Sequence, residues 1–223
     1  MGFKWNGVHT NELGILAEAR TLPVLPEPAV VIEELPGRDG FYDFSAVNMD
    51  RRVHYRPREW DYRCSLETKD FNGRIGAVTR MLVDTSGWLV DDKCPGVRWY
   101  GVIVNRVNIM RAALYLNNFD VFIRTQSFAE GFEIVTETIT ISSDGPVSIA
   151  NPGTWHSRSD VCLTGTTAAG AYIGDMPVLM TGVLDNACIM GPELAPGDND
   201  IAVTGFTGTL RIEFTPRYIW NSA

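Results

Sequence analysis

Residues 30–44 read VVIEELPGRDGFYDF. Two short runs rich in Val, Ile and aromatic residues flank a tight turn, Pro36-Gly37-Arg38-Asp39-Gly40. Pro followed by Gly is typical of a type II turn, in which the glycine takes a positive φ. This stretch therefore predicts two strands joined by a turn, and it is the first indication of a β protein.

The composition of the whole chain agrees with this interpretation. The 223 residues are 45% hydrophobic and 21% charged, and they include 21 Gly and 12 Pro. That is an ordinary globular composition with enough apolar residues for a core, and frequent turns between short apolar runs indicate β architecture. We expect a mostly β protein.

One helix is predicted, from about residue 73 to residue 84. Its apolar residues are spaced as one helical stripe, which consists of Ile75, Val78, Met81 and Leu82. Asn72 is predicted to cap the start of the helix and Gly87 to end it.

Strands are predicted in both halves of the chain. In the first half they are residues 3–5 with a return at Val8 after the turn Asn6-Gly7, then 30–35, 41–44, 52–55, 60–66, 99–104 and 120–126. Residues 107–116 fit a short helix or a strand, with the balance toward a strand, and Asn117-Asn118 is predicted to break them. The second half shows a Thr- and Ile-rich strand at 133–142. Short strands follow at 147–150, 161–164, 178–184, 187–190, 200–204 and 210–214. Their spacing is typical of a β-sandwich.

Charge is distributed unevenly along the chain, whose formal net charge is -8. Residues 1–140 hold 16 basic and 19 acidic side chains, whereas residues 141–223 hold 3 and 8 and no lysine. The acidic balance excludes nucleic-acid binding through bulk charge. The shift in composition indicates two domains, which we place at residues 1–135 and 136–223. The last strand either stays in the second domain or returns to the first.

The four cysteines are not arranged as a metal site. Cys64, Cys94, Cys162 and Cys188 contain no CxxC pair, which leaves a zinc site without support. The N-terminus shows no apolar signal segment, and no stretch approaches the roughly 20 apolar residues that span a bilayer. We therefore expect no membrane insertion, folding in a reducing cytosol, and four free, buried cysteines.

Catalytic signatures are weak. His156, Ser157 and Asp160 have the residue types of a hydrolytic triad, but a triad is defined by geometry, and a polar loop is the preferred interpretation. The acidic turns at residues 91–93 and 198–200 lack the ligand spacing of an EF-hand, and we interpret them as solvated. We predict no enzyme, no cofactor and no metal.

Trp155 supports an alternative function. An aromatic ring on a β-sandwich can stack on a sugar, which would make the chain a carbohydrate-binding adhesion module for host surface recognition. Aromatic residues in sandwiches more often belong to the core or to an interface.

Several segments, taken in order, resemble the distal tail protein (Dit) family of long-tailed bacteriophages, the siphoviruses. Residues 3–7 with 12–15 are similar to the family's opening hairpin, and Pro36–Gly40 is similar to its early Pro-Gly-Arg-Asp-Gly turn. The helix followed by Trp88-Leu89 and Tyr100 resembles its helix-then-strand block. Further similar segments are residues 128–131, 151–154, 194–201 and 214–218.

This resemblance implies an architecture and an assembly. The first domain would be a β-sandwich-like fold with one helix that forms a hexameric ring, and the second a galectin-like β-sandwich. The ring would connect the tail tube to the tail tip or baseplate hub, at the virion tail tip, after assembly in the host cytoplasm. Its partners would be the major tail tube protein and the tail-associated hub protein, with the tape measure protein and receptor-binding or baseplate proteins as further candidates. DNA would be met only in passage through the lumen.

The resemblance also gives a role to the turn. A charged pair at a turn tip is ordinarily solvated and contributes well under ~1 kcal/mol. Flanking glycines, however, let a backbone approach another chain closely. Gly37, Arg38, Asp39 and Gly40 are therefore candidate subunit contacts. The net charge of -8 further suggests a lumen to which DNA does not adhere.

Overall fold

The computed structural model describes residues 2–20, 25–34, 36, 39–45, 52–67, 71–83, 86–105, 107, 109–111 and 116–219. Two compact units contain these residues. The first comprises the described residues within Met1–Ala129 and Ile219–Ala223, and the second is Glu130–Tyr218. Both are built from antiparallel strands, which confirms the predicted mostly β class. No helix among the described residues is long and apolar enough to cross a membrane.

The first unit contains one large antiparallel sheet, a separate two-stranded hairpin, a 3-10 helix and one α-helix. Its elements are β1 (Phe3–Trp5), β2 (Val8–His9), the 3-10 helix (Thr10–Leu13), β3 (Ile15–Ala19), β4 (Ile32–Glu33), β5 (Tyr42–Asp43), β6 (Arg58–Glu67), α1 (Phe71–Val83), β7 (Ser86–Asp91), β8 (Val97–Ile103), β9 (Met110–Arg111) and β10 (Leu116–Thr125). The strand order in the large sheet is β2-β1-β7-β8-β10-β6-β3, with β9 paired to β10. Strands β4 and β5 pair with each other. The opening hairpin is confirmed, and its turn residues Asn6 and Gly7 both take positive φ, as in a type I′ turn.

The large sheet folds over on itself around an aromatic core. Strands β1 and β6 are four steps apart in the sheet, yet the rings of Phe3 and Tyr62 lie 4.3 Å apart. Trp60 packs edge-on against Trp99 at 4.9 Å, and all four rings are almost completely buried. Each belongs to the inward face of an alternating strand. This closure gives the unit its β-sandwich-like form.

A buried hydrogen bond joins the two halves of this core. Tyr62 Oη donates to Asp91 Oδ2 at 2.8 Å, and the backbone N–H of Lys93 donates to Asp91 Oδ1 at 2.8 Å. Burial, with the nearby Asp91 carboxylate, raises the pKa of Tyr62 far above its ordinary value, so the hydroxyl stays protonated and donates. Asp91 is only 3% exposed, so the interpretation of the turn at residues 91–93 as solvated is wrong for Asp91, whereas Asp92 and Lys93 are exposed.

The predicted helix is present with different ends. It runs Phe71–Val83, with Val78 and Met81 buried as the stripe predicts. Because it begins at Phe71, Asn72 lies inside the first turn and is not its cap. Gly87 does not end it either, since it lies within β7. The side chain of Asn6 occupies the space that a Cβ at residue 87 would need, which explains a glycine in that strand.

Other strand predictions for the first unit need correction. Residues 52–54 form no strand, and Tyr55 makes only a single bridge to Pro28. Asn117 and Asn118 do not break the chain but pair inside β10 with Leu66 and Ser65 of β6. Of the predicted strand at 107–116, the structure describes β9 and the first residue of β10, and residues 108 and 112–115 lie outside the described part.

The second unit is built on three long strands. Its elements are β12 (Val135–Ile141), β13 (Gly145–Asn151), β14 (Ser157–Ile173), β15 (Met176–Pro177), β16 (Gly182–Leu194), β17 (Gly197–Phe214) and β18 (Arg217–Tyr218), and the short β11 (Ala129–Gly131) precedes them. Strand β17 pairs with β13 through its first half and with β12 through its second half, and β14 lies along both halves. Side chains from both halves share one core, which includes Ile149, Leu163 and Leu210. The sheet therefore bends over to form a two-layered β-sandwich.

The predicted strands at 133–142 and 147–150 correspond to β12 and β13, but the later runs are not a series of separate short strands, and residues 178–181 form no strand. The runs 200–204 and 210–214 are parts of β17, and 187–190 lies within β16. The glycines between the runs mark bends rather than turns. Gly165 and Gly208 are register partners, and a Cβ on either would lie within 2.7 Å of the other's Cα. Only glycines allow the two bent strands to pass this closely.

The prediction of four free cysteines is also wrong. Cys162 of β14 and Cys188 of β16 face each other across the sheet and form a disulfide, whereas Cys64 and Cys94 are free. The two partners are separated by 26 residues in sequence. The two cysteines lie opposite each other because two bulges set the register between β14 and β16. The spacing of the cysteines in the sequence does not reveal that register.

We expect Tyr62→Phe to lower the free energy of unfolding of the first unit by about 2 kcal/mol. The change leaves a buried carboxylate oxygen without its donor. Urea titration followed by tryptophan fluorescence measures this, because Trp5, Trp60, Trp88 and Trp99 lie in this unit. Tyr100→Phe at an exposed tyrosine is the control, and equal loss in both variants would contradict the assignment.

Reduction of the Cys162–Cys188 disulfide is expected to destabilise the second unit by about 3 kcal/mol, the chain-entropy value for a loop of this length. Circular dichroism across a urea gradient, with and without reductant, provides the measurement. Cys94→Ser should leave the reductant effect intact. Four titratable thiols in the unfolded, unreduced protein, instead of two, would refute the bond.

Candidate assembly surfaces

The described residues between Pro26 and Tyr55 form a segment that we call the arm. Backbone hydrogen bonds join the two sides of its base, from Ala29 N to His54 O at 2.7 Å and from Arg56 N to Glu27 O at 2.8 Å. Further out, strands β4 and β5 form the hairpin at residues 32–33 and 42–43. The arm is thus an ordered two-stranded extension.

Ser45 fixes the outer part of the arm. Its Oγ accepts the backbone N–H of Val31 at 2.9 Å, and its own N–H donates to Asp43 Oδ1 at 2.8 Å. The Ser45 hydroxyl and then its backbone N–H hold the pKa of the Asp43 carboxyl below its ordinary value. The turn after β5 is therefore specified by polar contacts that the residue pattern of a strand does not predict.

The hairpin exposes apolar side chains on both faces. Both residues of β4 and both residues of β5 are exposed. Large hydrophobic side chains exposed by 41–63% along it are Val31, Ile32, Phe41, Tyr42 and Phe44. The rings of Tyr42 and Phe44 stack with centroids 6.3 Å apart. An isolated two-stranded hairpin is marginal in water, and a contiguous apolar patch of this kind marks an interaction surface.

The predicted turn contacts lie at the tip of this hairpin. Asp39 and Gly40 are exposed, and Gly40 has a φ of +97° with open space where a Cβ would be. Gly37 and Arg38 lie outside the described residues. The tip is predictable from turn residues, whereas the apolar faces behind it are not, because Val, Ile and Phe in a short strand normally indicate a core. The prolines that bracket the segment were the available signal of an edge or extension.

A polar cavity of about 610 Å³ lies beside the base of the arm. Two ion pairs lie in its lining, in which Arg124 is 2.6 Å from Glu59 and Arg56 is 3.6 Å from Glu27. The third arginine, Arg58, is buried, and its Nε donates to Ser127 O at 2.9 Å. Burial lowers the pKa of Arg58 to about 10, and the guanidinium remains charged at neutral pH. Three arginines against two glutamates give the cavity a positive balance.

Trp155, the candidate sugar contact, is held at the backbone. Its N–H donates to Arg217 O at 2.9 Å and its carbonyl accepts from Asn151 Nδ2 at 3.2 Å. The side chain is half-buried, and its ring meets His156 edge-on at 5.4 Å. This arrangement is typical of a tryptophan that anchors a loop.

The residues of the candidate triad do not converge. Ser157 is fully buried and its Oγ accepts the N–H of Arg217 at 3.1 Å, whereas Asp160 is exposed further along β14. The acidic turns likewise have structural partners, since Asp92 Oδ1 lies 2.8 Å from His9 Nε2 and the Asn199 amide bonds to Ala195. The described residues contain no group of three or more His, Cys, Asp or Glu side chains that could hold a metal ion.

The entire net charge of the protein belongs to the second unit. Residues 130–218 carry 11 acidic side chains, three arginines and no lysine, for a net charge of -8. The rest of the chain carries 16 acidic and 16 basic side chains, which cancel. The unit that bears the apolar arm is therefore electrically balanced, and the other unit carries the full charge of the protein.

Comparison with known proteins identifies a shared fold. No family model matches the sequence, and no curated protein matches it either. Among solved structures, the chain is similar to the SPP1 Dit (gp 19.1) protein, described as a paradigm of the hub adsorption apparatus in phages that infect Gram-positive bacteria. The TM-score is 0.69 at 14% sequence identity, with 97% of this chain and 98% of that chain covered. This confirms, at the level of the fold, the resemblance seen in the sequence.

We predict that Asp43 titrates below the ordinary range of an aspartate and that Ser45→Ala raises its pKa part of the way back. The ionised carboxylate stabilises the turn at neutral pH, and this contribution is lost as the pH falls below roughly 4. An NMR titration of the Asp43 carboxyl carbon measures the shift. Ser143→Ala, at an exposed serine of the second unit, is the control. An unchanged Asp43 titration in Ser45→Ala would show that the hydroxyl is not the cause.

Proposed function

We propose that this protein is a structural component of a phage tail, in which six copies form a ring between the tail tube and the tail-tip or baseplate hub. The observation that carries the proposal is the apolar arm, on a chain whose fold matches a phage hub protein over nearly its full length. The first unit would form the ring, and the second would be a galectin-like sandwich at its periphery.

The arm supplies the contact from which a ring can close. Its apolar faces require cover, and the arm differs from the surface that it would meet on the next copy, so the contact is heterologous. Heterologous contacts repeated with a closing rotation give cyclic symmetry, and the number six comes from the resemblance. Charge supports this arrangement. The arm carries exposed Glu33, Asp39 and Asp43, and the cavity beside the arm base has the opposite balance.

The neutrality of the first unit bears on the lumen. Because the net charge of -8 belongs to the second unit, the first unit would bring no net charge to the ring that surrounds the lumen. An excess of basic side chains drives non-specific DNA binding. DNA would then pass through the ring because the first unit has no such excess. The partners that we propose are the tail tube protein on one side of the ring and the hub protein on the other.

The alternative function, carbohydrate binding through Trp155, has no observation in its favour. The ring of Trp155 is half-buried and contacts His156, and its loop is tied by backbone hydrogen bonds to Arg217. A sugar platform needs an open aromatic face.

Light scattering and negative-stain electron microscopy test the ring. At micromolar concentration we expect particles of six times the 24.7 kDa chain mass, with six-fold views. Phe41→Ser and Phe44→Ser each remove a side chain whose burial contributes about 2 kcal/mol, and they should lower the fraction of assembled protein.

Ile134→Ser is the matched control, because Ile134 is 64% exposed, as Phe41 is at 63%, but lies in the second unit. A monomeric wild-type protein would refute self-assembly. Rings that survive both arm substitutions would instead show that the arm is not the subunit contact.

A further inference from the structure

The loop between β15 and β16 and the first residues of β16 present two apolar side chains to solvent, Leu179 from the loop and Val183 from the strand. Leu179 is 89% exposed and Val183 86%, the two highest values among the exposed large hydrophobic residues that the structure describes. The loop is anchored at both sides. The buried Val178 donates its N–H to Ala171 O at 2.9 Å, and Thr167 Oγ1 donates to Met180 O at 2.9 Å. Exposed hydrophobic side chains that an anchored backbone holds in place are suited to contact with a partner.

The adjacent strand has an open edge. Strand β16 pairs with β14 on one side, and no other strand of the described residues pairs with it. It contains no lysine or arginine, and its one proline, Pro192, stands near its end. Met190 adds a further apolar side chain at 66% exposure. Natural proteins usually protect such an edge with lysines, prolines or a covering element, whereas β16 has two bulges, the acidic Asp185 and Glu193, and Pro192 near its end.

Charge identifies the kind of strand that this edge can accept. The second unit has a net charge of -8, so a second copy of the same unit is repelled. A basic segment is attracted by the same charge. The unit is thus protected from its own copies by charge rather than by the side chains of its edge.

We propose that the β16 edge, defined as the free side of β16 with Leu179, Val183 and Met190, binds an extended, basic segment of a different protein as an added strand. Backbone hydrogen bonds to the edge supply affinity, and apolar side chains of the segment cover Leu179 and Val183. Lysines or arginines in the segment complement the unit's charge. The inference goes beyond ring assembly and does not depend on it, because the arm belongs to the other unit.

The test uses the full-length protein and a defined probe, a fluorescent nine-residue peptide of alternating Lys and Val. Its acidic twin of alternating Glu and Val is the second probe. We expect salt-sensitive binding of the basic peptide by fluorescence anisotropy, and slower amide exchange confined to β16 by mass spectrometry. The acidic twin should bind at least about tenfold more weakly.

Val183→Lys and Met190→Lys should each weaken binding about tenfold, since each loses apolar burial and adds a repelling charge. Ile134→Lys makes the same change in charge at a residue as exposed as Met190, just before β12 at the opposite edge of that layer. It should change binding less than about twofold. The mass of the assembled particle should be the same in all three variants.

Four outcomes would overturn the proposal. The first is that the acidic peptide binds as tightly as the basic one, and the second is that the peptide slows amide exchange outside β16. The third is that Ile134→Lys weakens peptide binding as much as Val183→Lys does. The fourth is that Val183→Lys lowers the mass of the assembled particle. Protection of β16 that rises with protein concentration, without peptide, would assign the edge to a second copy and also overturn it. A monomeric wild-type protein that still binds the peptide at β16 would refute the ring and leave this inference standing.

Discussion

The closure of the first unit's sheet is the constraint on which the remaining features depend. Phe3 and Tyr62 belong to strands four steps apart, and their contact at 4.3 Å, with the hydrogen bond from Tyr62 to the buried Asp91, brings the two ends of the sheet together. Side chains that are fully buried and interdigitated leave no space for further apolar groups. The hydrophobic faces of the arm therefore lie outside this core and remain exposed.

Local patterns in the sequence predicted several elements of the first unit. The alternation over residues 60–66 and 99–104, the Asn6-Gly7 turn and the stripe through Val78 and Met81 each depend on neighbours close in sequence. What they could not show was whether an apolar strand lies inside or outside. Ile32 and Tyr42 have the side chains of a core strand but stand in water, because burial is decided by the closed sheet and not by the hairpin.

The second unit was less predictable for a related reason. Gly165 and Gly208 normally indicate turns, yet here they let two long strands pass at close range and bend together. A turn and a bend use the same residue, and they differ only in which strand lies opposite. The disulfide between Cys162 and Cys188 depends on that same register. For the candidate surfaces, the tip at Asp39 and Gly40 could be found from turn chemistry, but the apolar arm and the β16 edge required the tertiary structure.

The division of charge suits the two exposed apolar surfaces to the different partners that we propose for them. A neutral unit can approach its own copies, since no Coulomb term opposes the burial of apolar area. A unit with a net charge of -8 is repelled by every copy of itself, and this repulsion acts over about 8 Å at physiological salt before contact forms. In the arrangement that we propose, the arm lies on the unit without net charge, where no repulsion opposes contact between copies, and the open strand edge lies on the charged unit. Exchanging the two charge balances would direct the arm away from other copies and leave the β16 edge free to pair with itself. The segregation of charge therefore supports a different class of partner for each of the two surfaces that we propose.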